Sequence, residues 1–167
     1  MNELEKLAVY INEFTLDNVP EDVIETAKIC ILDSYAVSVG SSEDELIKNV
    51  VKEYKDYYSD GPDQISIWGQ ETKLPVLQAI FINSLKGHRL ELDDVHTKSK
   101  THIGTVVVPT ALGLGEWLGS TGKEIIEAVV CGYEVMSRIG MGFGVSSHRN
   151  KGWHVTSTAG TFGAAAA

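Results

Sequence analysis

Gly87–Glu116 reads GHRLELDDVHTKSKTHIGTVVVPTALGLGE. It sets His88, Glu91, Asp93, Asp94, His96, Lys98, Lys100 and His102 in a short polar run between two apolar segments. The periodicity of those two segments decides the fold. Before the run, Leu77, Ile80, Phe81, Ser84 and Leu85 recur at helical spacing, and Pro75 suits the first turn of that helix. After it, Val106 to Leu118 reads as helical despite its valines, because Ala111, Leu114 and Leu118 continue the period. A polar loop held between two helices is a common seat of chemistry. All five histidines of the chain lie between His88 and His154.

Outward from this centre the pattern stays helical. Towards the N-terminus, residues 3–15 place Leu4, Leu7, Ala8, Ile11 and Phe14 on one face, and a second helix over about 20–39 follows Pro20. That second helix is apolar on more than one side, which predicts a central position. Ser42-Glu43-Asp44-Glu45 matches a capping box opening a helix over about 43–58. Asp60-Gly61-Pro62-Asp63 breaks it, and Ile65–Trp68 is the one strand-like stretch. Towards the C-terminus, Thr121-Gly122-Lys123-Glu124 is a second capping box for a helix over about 122–139. Gly140 to Gly144 then reads as a glycine-rich turn into a second polar loop, Ser146 to His154. The residues from Thr158 onward are helix formers that end in four alanines without a stop signal, so the chain is expected to be the N-terminal part of something longer. The sequence thus predicts an all-α fold with at most one very short β-hairpin or strand, forming a single helical domain over residues 1–167.

Composition narrows the function. Residues 1–63 carry 15 acids and 5 bases, whereas residues 64–167 carry 8 acids and 9 bases. With no concentrated basic face, nucleic acid is excluded as a partner, and the near-neutral second half is the part suited to a small anion. No apolar run reaches the roughly 18 to 20 residues of a membrane span, and the acidic amphipathic start is no signal peptide. Cys30 and Cys131 sit in apolar helical surroundings, as free thiols of a cytoplasmic protein do.

The polar run carries the chemistry. Histidine titrates near neutral pH, and a neighbouring carboxylate fixes its tautomer, so Asp93 with His102 suits general acid–base work. Lys98 and Lys100 are suited to hold a carboxylate by charge-assisted bonds. Asp93, Asp94, His96 and His102 are all metal-ligand types, but a six-residue gap between the histidines matches no standard ligand spacing, so no metal is expected. His88 reads as a helix C-terminal residue favoured by the dipole. Gly140-x-Gly142-x-Gly144 follows a helix rather than a strand, which argues against dinucleotide binding.

The loop and its flanks resemble the MmgE/PrpD family, which contains 2-methylcitrate dehydratase, cis-aconitate decarboxylase and iminodisuccinate epimerase. The residues carrying the resemblance are Gly87-His88-x-Leu90-Glu91-Leu92-Asp93-Asp94-Val95-His96, His102-x-Gly104 and Val107-Val108-Pro109-Thr110-Ala111-Leu112. Gly132-Tyr133-Glu134-Val135 with Arg138, and Gly152-Trp153-His154-x-Thr156 with the segment from Gly160 to Ala166, extend it. The resemblance implies the N-terminal part of a helical domain whose α/β lid is absent from these residues. It implies a cofactor-free lyase or isomerase, homodimeric, that takes a proton next to a carboxylate of a small di- or tricarboxylate. By it, His102, Asp93 and His154 are the catalytic residues, and Glu91, Asp94, His96 and Lys100 bind substrate. The family's active-site lysine and a further histidine have no counterpart within residues 1–167. Decarboxylase-like members have aspartate where Glu91 stands, threonine near Val95, and proline where Ile103 follows the histidine, with a loop one residue different. These departures point away from cis-aconitate decarboxylation and leave the substrate open. The alternative reading is a stand-alone, non-catalytic helical binding module descended from such an enzyme.

Overall fold

The computed structural model describes residues 1–167. Eight helices carry the chain: α1 (Glu3–Glu13), α2 (Glu21–Gly40), α3 (Glu45–Tyr58), α4 (Val76–His88), α5 (Gly104–Leu118), α6 (Gly122–Gly142), α7 (Val145–Asn150) and α8 (Val155–Ala166). Between α3 and α4, β1 (Gln64–Ser66) pairs antiparallel with β2 (Lys73–Pro75), in the register Gln64 to Pro75, Ile65 to Leu74 and Ser66 to Lys73. The all-α expectation with one short hairpin holds. Only one of its strands was visible in the sequence, because Pro75 serves both as the end of β2 and as the residue before α4. No helix is long and apolar enough to cross a membrane.

α5 is the axis of the fold. Val107, Val108 and Ala111 sit in the main core with Val129 and Met136 of α6 and Ala159 of α8. A second core gathers Ile47, Ile65, Leu74, Ala79 and Ile82 around the hairpin. Small residues let the helices approach: a Cβ on Gly163 of α8 would lie 2.7 Å from the Cβ of Met136. The end of α4 and the start of α5 are laced together. Thr105 Oγ1 donates to the Ser84 carbonyl at 2.7 Å, and Ser84 Oγ donates back to the Thr105 carbonyl. That crossing brings the last residue of α4, His88, against the residues that precede α5.

Four expectations are corrected. Ser42 does not cap α3; Asp44 does, accepting from Leu46 and Ile47 N–H, and Ser42 Oγ instead accepts from Lys86. α6 runs through Gly140 to Gly142 instead of turning there. A Cβ on Gly140 would meet the Ser99 Cβ at 2.8 Å, so glycine is needed for close packing within the helix rather than for a turn. The polar stretch after it contains α7, fixed by His148 stacking on Phe143 at 4.8 Å. α2 is not central all round: it buries Ala27, Ser34 and Ser38 but leaves Ile29 and Leu32 about two-thirds exposed, at 66% and 67%.

Lys86 has no exposed surface, and no carboxylate partners it. Its Nζ donates to Ser42 Oγ at 3.0 Å and to the Trp68 carbonyl. Burial disfavours the ammonium form and pushes the pKa from 10.5 down to about 8. The unfolded chain therefore holds a proton between pH 8 and 10.5 that the folded chain does not, so stability rises across that window. Lys86→Met strands the Trp68 carbonyl, but relief of the buried charge outweighs that loss, and a gain of about 1 to 2 kcal/mol is expected at pH 7. Urea unfolding at pH 7 and pH 10 checks this: the variant's advantage should shrink at the higher pH.

Candidate active site

The site is built where α4 ends and α5 begins. Asp93 lies on the connecting loop with its side chain 1% exposed, and two imidazoles face it. His88 Nδ1 is 3.0 and 2.9 Å from the two carboxylate oxygens. An ionised carboxylate only accepts, so the His88 proton on this side sits on Nδ1. His102 Nδ1 is 3.2 Å from Asp93 Oδ2, yet no hydrogen bond forms there; the atom is buried and has no bonded partner. Proximity without alignment makes this an electrostatic contact rather than a hydrogen bond. The two rings meet edge to face, with centroids 4.7 Å apart. The backbone holds His102 from α8, since its N–H donates to Thr156 Oγ1 at 3.1 Å.

Asp94 faces the other way. Its Oδ1 accepts from the Gly104 N–H at 2.8 Å and its Oδ2 from the Tyr133 hydroxyl at 2.9 Å. It thereby caps α5, whose preceding residue Ile103 offers no capping side chain. A Cβ on Gly104 would lie 2.7 Å from Asp94 Oδ1, so glycine at this position keeps the approach open. Burial raises the Asp94 pKa, against the lowering effect of its two donors, and burial also raises that of Tyr133. Tyr133→Phe leaves the buried carboxylate with one donor fewer, and stability is expected to fall by about 2 kcal/mol. Thermal unfolding followed by circular dichroism reads this; an unchanged midpoint would show the bond to contribute nothing.

The remaining sequence-predicted residues are spread around this centre. His96 N–H donates to the Thr101 carbonyl and Lys100 N–H to the His96 carbonyl, both at 2.9 Å, closing a tight turn. His96 Nδ1 pairs with Ser99 Oγ at 2.7 Å, and that oxygen lies 2.6 Å from Thr101 Oγ1. Glu91 and Lys100 are exposed, with φ of 51° and 55°, a left-handed conformation uncommon for residues other than glycine. His154 is exposed at the start of α8, two residues before Thr156, and its side chain makes no hydrogen bond. The structure therefore brings Asp93 and His102 together and turns Asp94 and His96 to other partners. It adds His88, which sequence reading had taken for a dipole residue. His88 is in the last turn of α4 as that reading required, and the signal for its second role was the carboxylate five residues on.

A cavity of about 730 Å³ lies beside the cluster rather than on it, between α2 and α6, with Asp94 and His96 at one end and Cys30, Tyr133 and Glu134 along it. Its lining is mainly apolar, with Asp94 and Glu134 as its carboxylates and no lysine or arginine. His88, Asp93 and His102 are the metal-ligand types that converge, their donor atoms all lying within 4.8 Å of one another. The set weighed from sequence, with Asp94 and His96, does not converge.

The family model described as the MmgE/PrpD N-terminal domain matches residues 5–167. The chain belongs to the MmgE/PrpD family. A cis-aconitate decarboxylase from Aspergillus terreus is 29% identical over 150 residues, 87% of this chain and 30% of the relative. The human cis-aconitate decarboxylase is 27% identical over 168 residues, 98% of this chain and 34% of the relative. A cis-aconitate decarboxylase-like protein from Aspergillus oryzae is 25% identical over 173 residues, 99% of this chain and 36% of the relative. The chain thus spans about a third of the length of the curated relatives it matches. What MmgE/PrpD membership adds to the geometry is an enzyme family and a helical N-terminal domain.

Proposed function

We propose that this chain is the N-terminal, helical part of a lyase or isomerase that removes a proton next to a carboxylate of a small di- or tricarboxylate, in the manner of a dehydratase. The observation that carries the reading is the buried Asp93 carboxylate 3.2 Å from His102 Nδ1, at the start of α5. In this reading His102 Nε2 accepts or returns the substrate proton. Asp93, facing Nδ1 as a charge rather than through a hydrogen bond, stabilises the imidazolium that forms, a division of labour open to any histidine backed by a buried carboxylate. His154, exposed at the head of the helix whose Thr156 fixes the His102 backbone, takes a substrate carboxylate or passes the proton on. Glu91, His96 and Lys100 form the substrate-facing rim of the loop. Asp94 acts through position, holding α5 by the Gly104 N–H so that His102 is presented to the substrate.

The catalytic part of this reading belongs to the whole protein. Exposed Ile29, Leu32, Leu77 and Leu118 supply apolar surface for a homodimer. The two free thiols support a cytoplasmic setting. The relatives' decarboxylase names favour a lyase, whereas Glu91, Val95 and Ile103 support a substrate other than cis-aconitate. The test is a screen of the full-length protein with citrate-like and iminodisuccinate-like acids in deuterated water, following proton exchange by NMR. Exchange at the carbon beside a carboxylate is expected for at least one of them; none with any acid would reject the reading.

A further inference from the structure

His88, Asp93 and His102 have their donor atoms within 4.8 Å of one another, and two of the three separations are those of ligands on one metal ion. Three ligands about 2.1 Å from a common ion stand about 3.0 to 3.4 Å apart as the angles at the ion open from square to tetrahedral. His88 Nδ1 and His102 Nδ1 lie 2.9 and 3.2 Å from the same oxygen, Asp93 Oδ2. His102 Nδ1 is buried without a bonded partner; in the tautomer with the proton on Nε2, the reverse of the one the base needs, its lone pair is open to a Lewis acid that the protein itself does not supply. We propose that His88, Asp93 and His102 capture a borderline divalent ion, Zn²⁺ or Co²⁺, as a two-imidazole, one-carboxylate site.

The ligand set selects the ion class. Two imidazole nitrogens suit zinc and cobalt, whereas Mg²⁺ and Ca²⁺ need more oxygen ligands than the single Asp93 carboxylate supplies. Asp93 is fixed, with its side chain 1% exposed, and His88 is 43% exposed, so the His88 ring is the part that turns to admit the ion. The proton on His88 Nδ1 moves to Nε2 through solvent, which frees the Nδ1 lone pair without changing the charge of the ring. The backbone positions of the ligands are set before binding by the Ser84–Thr105 lacing and by the bond from His102 N–H to Thr156. A captured ion occupies His102 Nδ1 and Asp93 together, so it inhibits; that consequence rests on the proposed role of His102, whereas binding does not.

The test is titration of the purified protein with Co²⁺, read by its visible ligand-field absorption, followed by displacement with Zn²⁺. Thermal unfolding runs in parallel, since an ion that binds only the folded state raises the midpoint with its concentration. A saturable band is expected that Zn²⁺ removes. His88→Ala, and separately His88→Gln, should weaken binding at least about 100-fold. His148→Ala, at a histidine packed between Phe143 and Trp153, should leave the band unchanged. Circular dichroism establishes that each variant is folded. Absence of a band, or a band that survives both His88 variants, overturns the proposal. Binding with no loss of turnover in the full-length enzyme supports the metal site and counts against His102 as the base.

Discussion

Replacing His102 by alanine is expected to lower turnover of the full-length enzyme at least about 100-fold, the usual scale for losing a positioned acid or base. The loss should fall on kcat, because the ring is assigned to proton transfer rather than to holding the substrate. Neighbouring replacements make the expectation specific. Asp93→Asn keeps the shape but removes the charge that stabilises the imidazolium, and it places an amide against two ring nitrogens. It should give a large loss too, and the double variant should be scarcely worse than either single one, as for groups that act as a unit. His88→Gln should cost far less, since His88 touches Asp93 and the edge of the His102 ring but is assigned no proton of the substrate. Steady-state kinetics on whichever acid shows exchange decides the matter. Near-normal kcat in His102→Ala would remove His102 from the chemistry, and additive losses would show that Asp93 does not act through it.

How far the sequence could be read follows from which interactions are local. Helical periodicity around Gly87–Glu116 identified α4 and α5 as helices but not the faces they bury: Leu77, Phe81 and Leu118 are exposed, whereas Ala79, Ile82, Val107, Val108 and Ala111 carry the core. The Thr121–Glu124 capping box was legible because both of its bonds lie within three residues. Ser42 carried the same local pattern but was drawn off by Lys86, which lies 44 residues away and has no other side-chain partner. α6 was cut short because Gly140 and Gly142 have low helix propensity; at Gly140, packing against Ser99 and Thr101 outweighs a cost of about 1 kcal/mol. In the candidate site, Asp93 and His102 were legible as part of one polar run. His88 was not, since its two relationships depend on how α4 crosses α5. Tyr133 read as one more apolar position of a long helix, and nothing near it in the sequence points to Asp94, 39 residues away.

Gly140 gives the second large effect, because there the packing of α6 and the shape of the site loop are one contact. Gly140→Val would set a Cβ 2.8 Å from the Ser99 Cβ and 3.2 Å from Thr101 Cγ2. Ser99 and Thr101 are fully buried, and their hydroxyls are 2.6 Å apart, with Ser99 also bonded to His96. The loop therefore has no free direction in which to give. Overpacking of this kind costs about 3 kcal/mol at its upper range, against which valine's better helix propensity returns only a few tenths. Urea unfolding should show that loss, and turnover should fall with it, because Thr101 directly precedes His102. A double-mutant cycle identifies the cause. In a Ser99→Gly background the nearest colliding atom is gone, so Gly140→Val should cost less than half of what it costs alone. An equal cost in both backgrounds would place the strain elsewhere on α6, and the close contact with the loop would then not be what holds glycine at this position.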